Sequence, residues 1–283
     1  MAGETRLKLP PAVKYILGNE ACERFSFYGM STILVPYMQN WLGWQRNHAE
    51  SVFHDFVAAA YAMTVVGAWL SDRFFGRYRT ILWLSYGYVA GHATLAAMDV
   101  APGARATLLF SGMTLIVVGQ AGIKPNLSAF VGDQFRQDQG SLLDRVYSLF
   151  YVAINIGSAL SQFVTPWLLA GCAFGAIKLC EKSAVAWAFG VPGILMALAL
   201  VIYIGGSRMY VKVPPAGRDP HSFGSVLWSR LREGERAARA KHGDTNVDGM
   251  RSVFRIALVF APTITFWALY FQYGSSWFNQ AEK

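Results

Sequence analysis

The chain has 283 residues, 54% of them hydrophobic and only 15% charged, with a net charge of +8. Soluble domains carry about 25% charged residues, so this composition excludes an ordinary soluble domain and points to apolar blocks near the roughly 20 residues a spanning helix needs. The positive charge falls between those blocks, which assigns it to membrane topology rather than to nucleic acid, and the 3 cysteines (Cys22, Cys172, Cys180) form no disulfide framework.

Residues 1–12 form a basic tail rather than a cleavable signal, and the first span is expected to direct insertion itself. Spans are predicted over about 13–38, 52–70, 80–98, 106–123, 145–169 and 185–204. Pro36 is expected to bend the end of the first. A polar stretch follows over 207–250, in which 225–241 reads either as a short helix on the inner membrane surface or as a solvated tether. A seventh span begins near Val253, and the chain stops at Lys283. Cys172 and Cys180 can pair on the outer side, but free thiols are the expectation.

Basic residues sort by side. One set of loops holds Arg6, Lys8, Lys14, Arg73, Arg77, Arg79, Arg136, Arg145 and the many arginines after the sixth span; the other holds only Arg46, Arg105, Lys178 and Lys182. By the positive-inside rule the N-terminus is cytoplasmic.

The first span carries Glu20, Glu23 and Arg24 at i, i+3 and i+4, so they share one helical face, which Tyr28 and Ser31 extend. Charges at membrane depth are costly and therefore face a protein interior and pair with one another. A soluble amphipathic helix would also hold such a pair, but both flanks here are apolar. The second span carries His54 and Tyr61 on one face, with small Ala58 between them; a membrane histidine can take up a proton near neutral pH, or sit at the interface. After it comes Gly67-x4-Asp72-Arg73-x2-Gly76, a charged reversal.

The fourth span ends in Gly119-Gln120-Ala121-Gly122-Ile123-Lys124-Pro125-Asn126. The true loop begins about ten residues later, near Asp133, which leaves Lys124 more than a turn deep. A lysine snorkelling to the interface is the bland alternative. The fifth span carries Phe150-Tyr151-x2-Ile154-Asn155-Ile156-Gly157-Ser158, where Asn155 offers donors and acceptors. The seventh is aromatic, Phe266 to Trp277. Two glutamates, one arginine and one lysine sum to zero. Protonating a glutamate frees a cation for a carboxylate, so proton and anionic solute would favour each other's binding.

Together these motifs resemble the proton-coupled oligopeptide transporters of the major facilitator superfamily. The resemblance rests on Glu-x-x-Glu-Arg-Phe, Asp-Arg-x-x-Gly, Gly-Ile-Lys-Pro-Asn, Phe-Tyr-x-x-Ile-Asn-Ile-Gly-Ser and Phe-Trp-Ala-Leu, and it covers the whole chain. It implies an all-α integral membrane fold. Residues 1–206 would form a six-helix bundle, 207–250 a cytoplasmic basic linker, and 251–283 the first helix of a C-terminal bundle that is otherwise missing.

It further implies that Glu20, Glu23, Arg24 and Lys124 form the proton-coupling network, with His54 as a further proton site. Arg24 and Lys124 would meet the peptide carboxylate, and Tyr28, Tyr61 and Asn155 the peptide backbone. Two positions depart from the pattern: Phe27 replaces the first tyrosine of the usual pair, and Phe271 stands where many members carry an acid. The partners implied are a di- or tripeptide, a proton and the lipid bilayer of the plasma membrane, with no cofactor, metal or nucleic acid. Other readings are a carrier of another anionic solute such as nitrate, or a half-carrier or fragment that does not transport alone. A membrane enzyme is disfavoured, since the sequence offers no metal-ligand cluster or nucleophile–base set.

Overall fold

The computed structural model describes residues 9–174, 177–178, 181–217, 219–270 and 272. Two compact units divide the chain, one up to Pro215 and one from Ala216.

The first unit holds six long helices: α1 (Ala12–Asn40), α2 (Arg46–Leu70), α3 (Arg77–Ala96), α4 (Arg105–Gly132), α5 (Gly140–Leu169) and α6 (Ala184–Gly205). A two-residue antiparallel ribbon, Ala173–Phe174 with Ile177–Lys178, lies between α5 and α6. Among the described residues, five helices are long and apolar enough to cross a membrane: Arg46–Phe75, Pro102–Gly132, Gly140–Leu169, Ala184–Gly205 and Asp244–Tyr270. α1 and α3 also have the length, at 29 and 20 residues. Glu20, Glu23 and Arg24 make α1 less apolar than these five.

Pairs of helices approach closely where a side chain is absent. Gly157 of α5 lies against the Ala21 carbonyl and Phe25 of α1, and Gly119 of α4 lies against Tyr88 of α3. Buried polar tethers add direction, since in lipid a hydrogen bond across helices has no competing water. Asn19 donates to the Ala199 carbonyl (2.8 Å), Ser26 to that of Pro192 (2.6 Å), and Thr165 to that of Gly29 (2.9 Å). These hold α1 against α5 and α6. Large apolar side chains such as Val65, Trp83, Phe163, Ile194 and Val201 point outward, as a lipid-facing surface requires.

α4 does not end at Ile123. It runs through Lys124 and Pro125 to Gly132. Proline removes one donor from the helix, which leaves the Ala121 carbonyl without its usual partner. Gly67 of α2 closes on that carbonyl, and Asn126 donates its side-chain amide to the next one, Gly122 (2.8 Å). α2 starts earlier than expected, at Arg46, where Arg46 and Glu50 pair at 3.0 Å one turn apart. The reversal after it is a π-turn, Ser71–Phe75, closed by Gly76 at φ 73°. Arg73 lies over the rings of Trp69 and Phe74, and Arg77 ties the turn to Asp133 at the end of α4 (2.5 Å).

The polar stretch after α6 begins packed rather than loose. Tyr210 is buried among Tyr78, Phe130 and Tyr203, and Gln134 holds the Val211 backbone through both its amide atoms (2.9 and 3.2 Å). Cys22 is a free thiol, whereas Cys172 is disulfide-bonded, which corrects the expectation of free thiols at that position. Arg6, Lys8, Cys180, Phe271, Trp277 and Lys283, named above, lie outside the described residues.

The second unit contains α7 (Phe223–Glu233), α8 (Glu235–His242) and α9 (Asp244–Tyr270). The stretch 225–241, read as either a short surface helix or a solvated tether, holds two helices broken at Gly234 (φ 85°), and α9 starts at Asp244 rather than near Val253. Val226, Ala238, Val247 and Met250 form its small core, and the apolar stretch of α9 beyond Met250 is exposed. Arg239 reaches Glu235, Asp244 and Asp248 at 3.1, 2.7 and 2.9 Å. The hydrogen bond from Arg239 holds the Glu235 carboxyl below its ordinary value. A depressed carboxylate contributes stability above its unfolded-state value and loses it as pH falls through the folded one. Acidification through the carboxylate range should therefore speed amide exchange in α8, and Glu235→Gln should remove that pH dependence.

The crossing of α2 and α4 gives a stability prediction. A methyl on Gly67 would strike the Ala121 backbone, whereas one on Gly103 meets nothing within 4 Å. Overpacking of this kind costs about 1–3 kcal/mol. Gly67→Ala should lower the thermal midpoint of the detergent-solubilised chain, and Gly103→Ala should leave it unchanged.

Candidate functional site

The charged face of α1 points into the bundle. Glu23 is fully buried, and Glu20 and Arg24 are each 5% exposed. The Arg24 guanidinium meets both carboxylates at one edge: Glu20 Oε1 lies 3.1 Å from Nε, and Glu23 Oε2 lies against Nε and Nη2. Helical spacing makes this fork possible, because residues three and four apart stand side by side. An arginine presents several donors in one plane and so can serve two carboxylates together. Isolated, any of these charges would be expensive in a low-dielectric interior; as a set each offsets the others.

Lys124 enters from α4 because that helix continues past Pro125. Its ammonium stands 3.4 Å from the centroid of the Tyr61 ring on α2 and 5.9 Å from that of Phe27. It is within electrostatic reach of Arg24, Glu23 and Glu20, yet no carboxylate among the described residues pairs with it. Phe27, the departure from the family pattern, is fully buried and lies between two cations, with Arg24 also 5.9 Å from its ring. Aromatic faces attract cations, most strongly where water is excluded. Tyr28 is half-buried beside Phe27, with ring centroids 5.6 Å apart.

The structure thus brings Glu20, Glu23, Arg24, Phe27, Lys124 and Tyr61 to one place. His54 is half-buried two turns before Tyr61 on α2, its ring against Phe53 (5.5 Å). Asn155 is exposed on α5 and donates to the Tyr151 carbonyl of its own helix (2.7 Å). A cavity of about 310 Å³ between α2 and α4, lined by Phe56, Phe110, Met113 and Val117 among others, is largely apolar and holds none of the clustered charges.

Sequence reasoning passed over Tyr88 and His92 of α3 and Gln120 of α4, which are fully buried. The signal was present: a tyrosine and a histidine one turn apart inside an apolar span.

The POT family (PTR2) matches residues 78–283. Rat solute carrier family 15 member 2 is 37% identical over 292 residues, covering 97% of this chain and 39% of that one. Peptide transporter 3 of Caenorhabditis elegans is 38% identical over 293 residues, covering 97% and 41%. The crystal structure of the POT family transporter PepTSo superposes with a TM-score of 0.85 at 35% identity, covering 97% of this chain and 63% of that one. The chain therefore spans about two fifths of the length of these curated relatives. Its relatives are carriers and transporters rather than enzymes, and its helices are those of a multi-pass membrane protein. The chain belongs to the POT family.

Proposed function

We propose that these residues form the N-terminal half of a proton-coupled carrier of di- and tripeptides in the plasma membrane, with the N-terminus cytoplasmic and a second bundle completing the pathway. What supports this most is the buried set of Glu20, Glu23 and Arg24 with Lys124 beside it. With both glutamates ionised, the Nε and Nη2 edge of Arg24 is held by carboxylates. Protonation of one glutamate releases a face of the guanidinium, which can then take a peptide carboxylate by paired charge-assisted hydrogen bonds. Lys124, held over Tyr61 with no carboxylate of its own, is a second cation for the same group. Proton and peptide therefore strengthen each other's binding, and by linkage the effect is reciprocal.

Tyr28, Tyr61 and Asn155 supply backbone-directed hydrogen bonds, which let the peptide's side chains vary. His54 is a further proton site towards the outer end of α2. Alternating access is rocking of this bundle against its partner. The residues at 207–250 link the two bundles on the cytoplasmic side.

In proteoliposomes bearing the full-length carrier, an acid-outside gradient should accelerate dialanine uptake. Glu23→Gln should abolish accumulation while sparing counterflow exchange. Uptake indifferent to the gradient, with Glu20 and Glu23 intact, would refute proton coupling.

Arg24→Ala leaves two buried carboxylates without a partner, and breaking such a pair costs about 3–5 kcal/mol. Both Arg24→Ala and Lys124→Ala should weaken peptide binding, most for peptides with a free C-terminus. Equal losses for C-terminally amidated peptides would count against carboxylate recognition, and binding of nitrate in place of peptide would favour the other anionic-solute reading.

A further inference from the structure

The stretch that the transport scheme uses only as a link carries an apolar face that is largely uncovered. α7 has two sides. On one, Val226 packs in the small core of this unit and Ser229 bonds His242 of α8 (2.9 Å). On the other, Phe223, Trp228 and Leu231 are 45%, 63% and 75% exposed, and Leu227 is half-buried among them. At 100° per residue these four cover an arc of about 140°. Large apolar side chains gathered into one exposed patch mark an interaction surface, which a solvated tether does not need.

Two observations say what covers it. The first is its place. Phe223 packs against Phe254 of α9, with ring centroids 6.0 Å apart and planes at 51°. Phe254 is itself exposed and lies where the apolar stretch of α9 begins, in a helix long and apolar enough to cross a membrane. The outward face of α7 therefore starts at the level where that span enters the bilayer.

The second is charge. Arg230 and Arg232 stand at the two edges of the arc. The acids nearby are committed to other cations, Glu233 to Lys241 and Glu235, Asp244 and Asp248 to Arg239. Arg232 is exposed and takes part in no ion pair among the described residues. An apolar arc with aromatic rings and flanking cations is the pattern of a helix lying in lipid headgroups. A second copy of this unit would instead bring the same arginines against its own.

We propose that α7 docks on the anionic headgroups of the membrane that α9 crosses, with Trp228 and Leu231 at the boundary between headgroups and acyl chains and Arg232 on lipid phosphate. An arginine stem can run along apolar surface while its guanidinium stays among the phosphates. A tryptophan offers an apolar body and one N–H to the same layer. The segment between the bundles is then anchored in the plane of the membrane instead of hanging in solution. Its placement on the cytoplasmic side rests on the function proposed above; the docking rests only on α9 being a span.

The test is fluorine NMR of the full chain, labelled with fluorotryptophan, in nanodiscs of mixed phosphatidylcholine and phosphatidylglycerol. The resonance that vanishes in Trp228→Phe belongs to Trp228. It should be broadened by a nitroxide carried on a lipid headgroup and shielded from a soluble gadolinium chelate. Leu231 lies outside the core, so Leu231→Gln should open Trp228 to the chelate while the amides of α8 keep their exchange rates. Arg232→Gln should lower the ratio of docked to free α7 about fivefold in mixed discs and leave it nearly unchanged in phosphatidylcholine alone. A native Trp228 as open to the chelate as in Leu231→Gln would overturn the proposal, as would an Arg232→Gln effect indifferent to lipid charge. Shielding without broadening by the lipid nitroxide would also overturn it, and would assign the face to a second copy or to the second bundle. Peptide uptake plays no part in this readout, so failure of gradient-driven uptake would refute the transport reading and leave the docking standing.

Discussion

One guanidinium shared by two buried carboxylates is the interaction on which the rest of this bundle depends. Three charges on 5 residues of α1 are buried almost completely. Such a group is tolerable only if every member is paired and water is excluded. That condition dictates much of the packing nearby. α1 is pressed against α5 and α6 at small residues and tethered by Asn19, Ser26 and Thr165, which keeps its charged face turned inward. On the proposed function, the same pairing would make the site responsive, because neutralising one carboxylate would leave part of a strongly donating group unsatisfied until an anion arrives.

The second cation depends on a different constraint. A proline inside α4 would ordinarily end the helix, and Lys124 would then be an interfacial residue. Here the carbonyl freed by Pro125 lies under Gly67 of α2, so the helix continues and the crossing is close. Lys124 consequently meets an aromatic face rather than a carboxylate. A cation held by a ring is less firmly engaged than one in a buried ion pair, and is correspondingly available to a solute.

Much of this was legible in the sequence. Charged residues are rare in apolar spans, so Glu20, Glu23, Arg24 and Lys124 stood out without any structure. Helix ends were less legible. The continuation of α4 depends on Gly67, more than 50 residues away, and the early start of α9 depends on Val247 and Met250 packing against Val226 and Ala238. Tyr88, His92 and Gln120 were passed over for a related reason. Tyrosine, histidine and glutamine are common near membrane interfaces, and only contacts between α1, α3 and α4 reveal that these are buried. Phe27 read as a lost hydroxyl; its position between two cations is a property of the fold. The disulfide at Cys172 was equally beyond local reading, since pairing is set by geometry and compartment rather than by count.

The central claim is that proton and carboxylate binding are one linked event at the Arg24 cluster. Calorimetry of dialanine binding to the reconstituted carrier, repeated in buffers of different ionisation enthalpy, measures it directly. The account predicts that peptide binding takes up a proton, that C-terminally amidated dialanine takes up less, and that Glu23→Gln removes the difference. Binding heats that are independent of the buffer, with both glutamates in place, would contradict it.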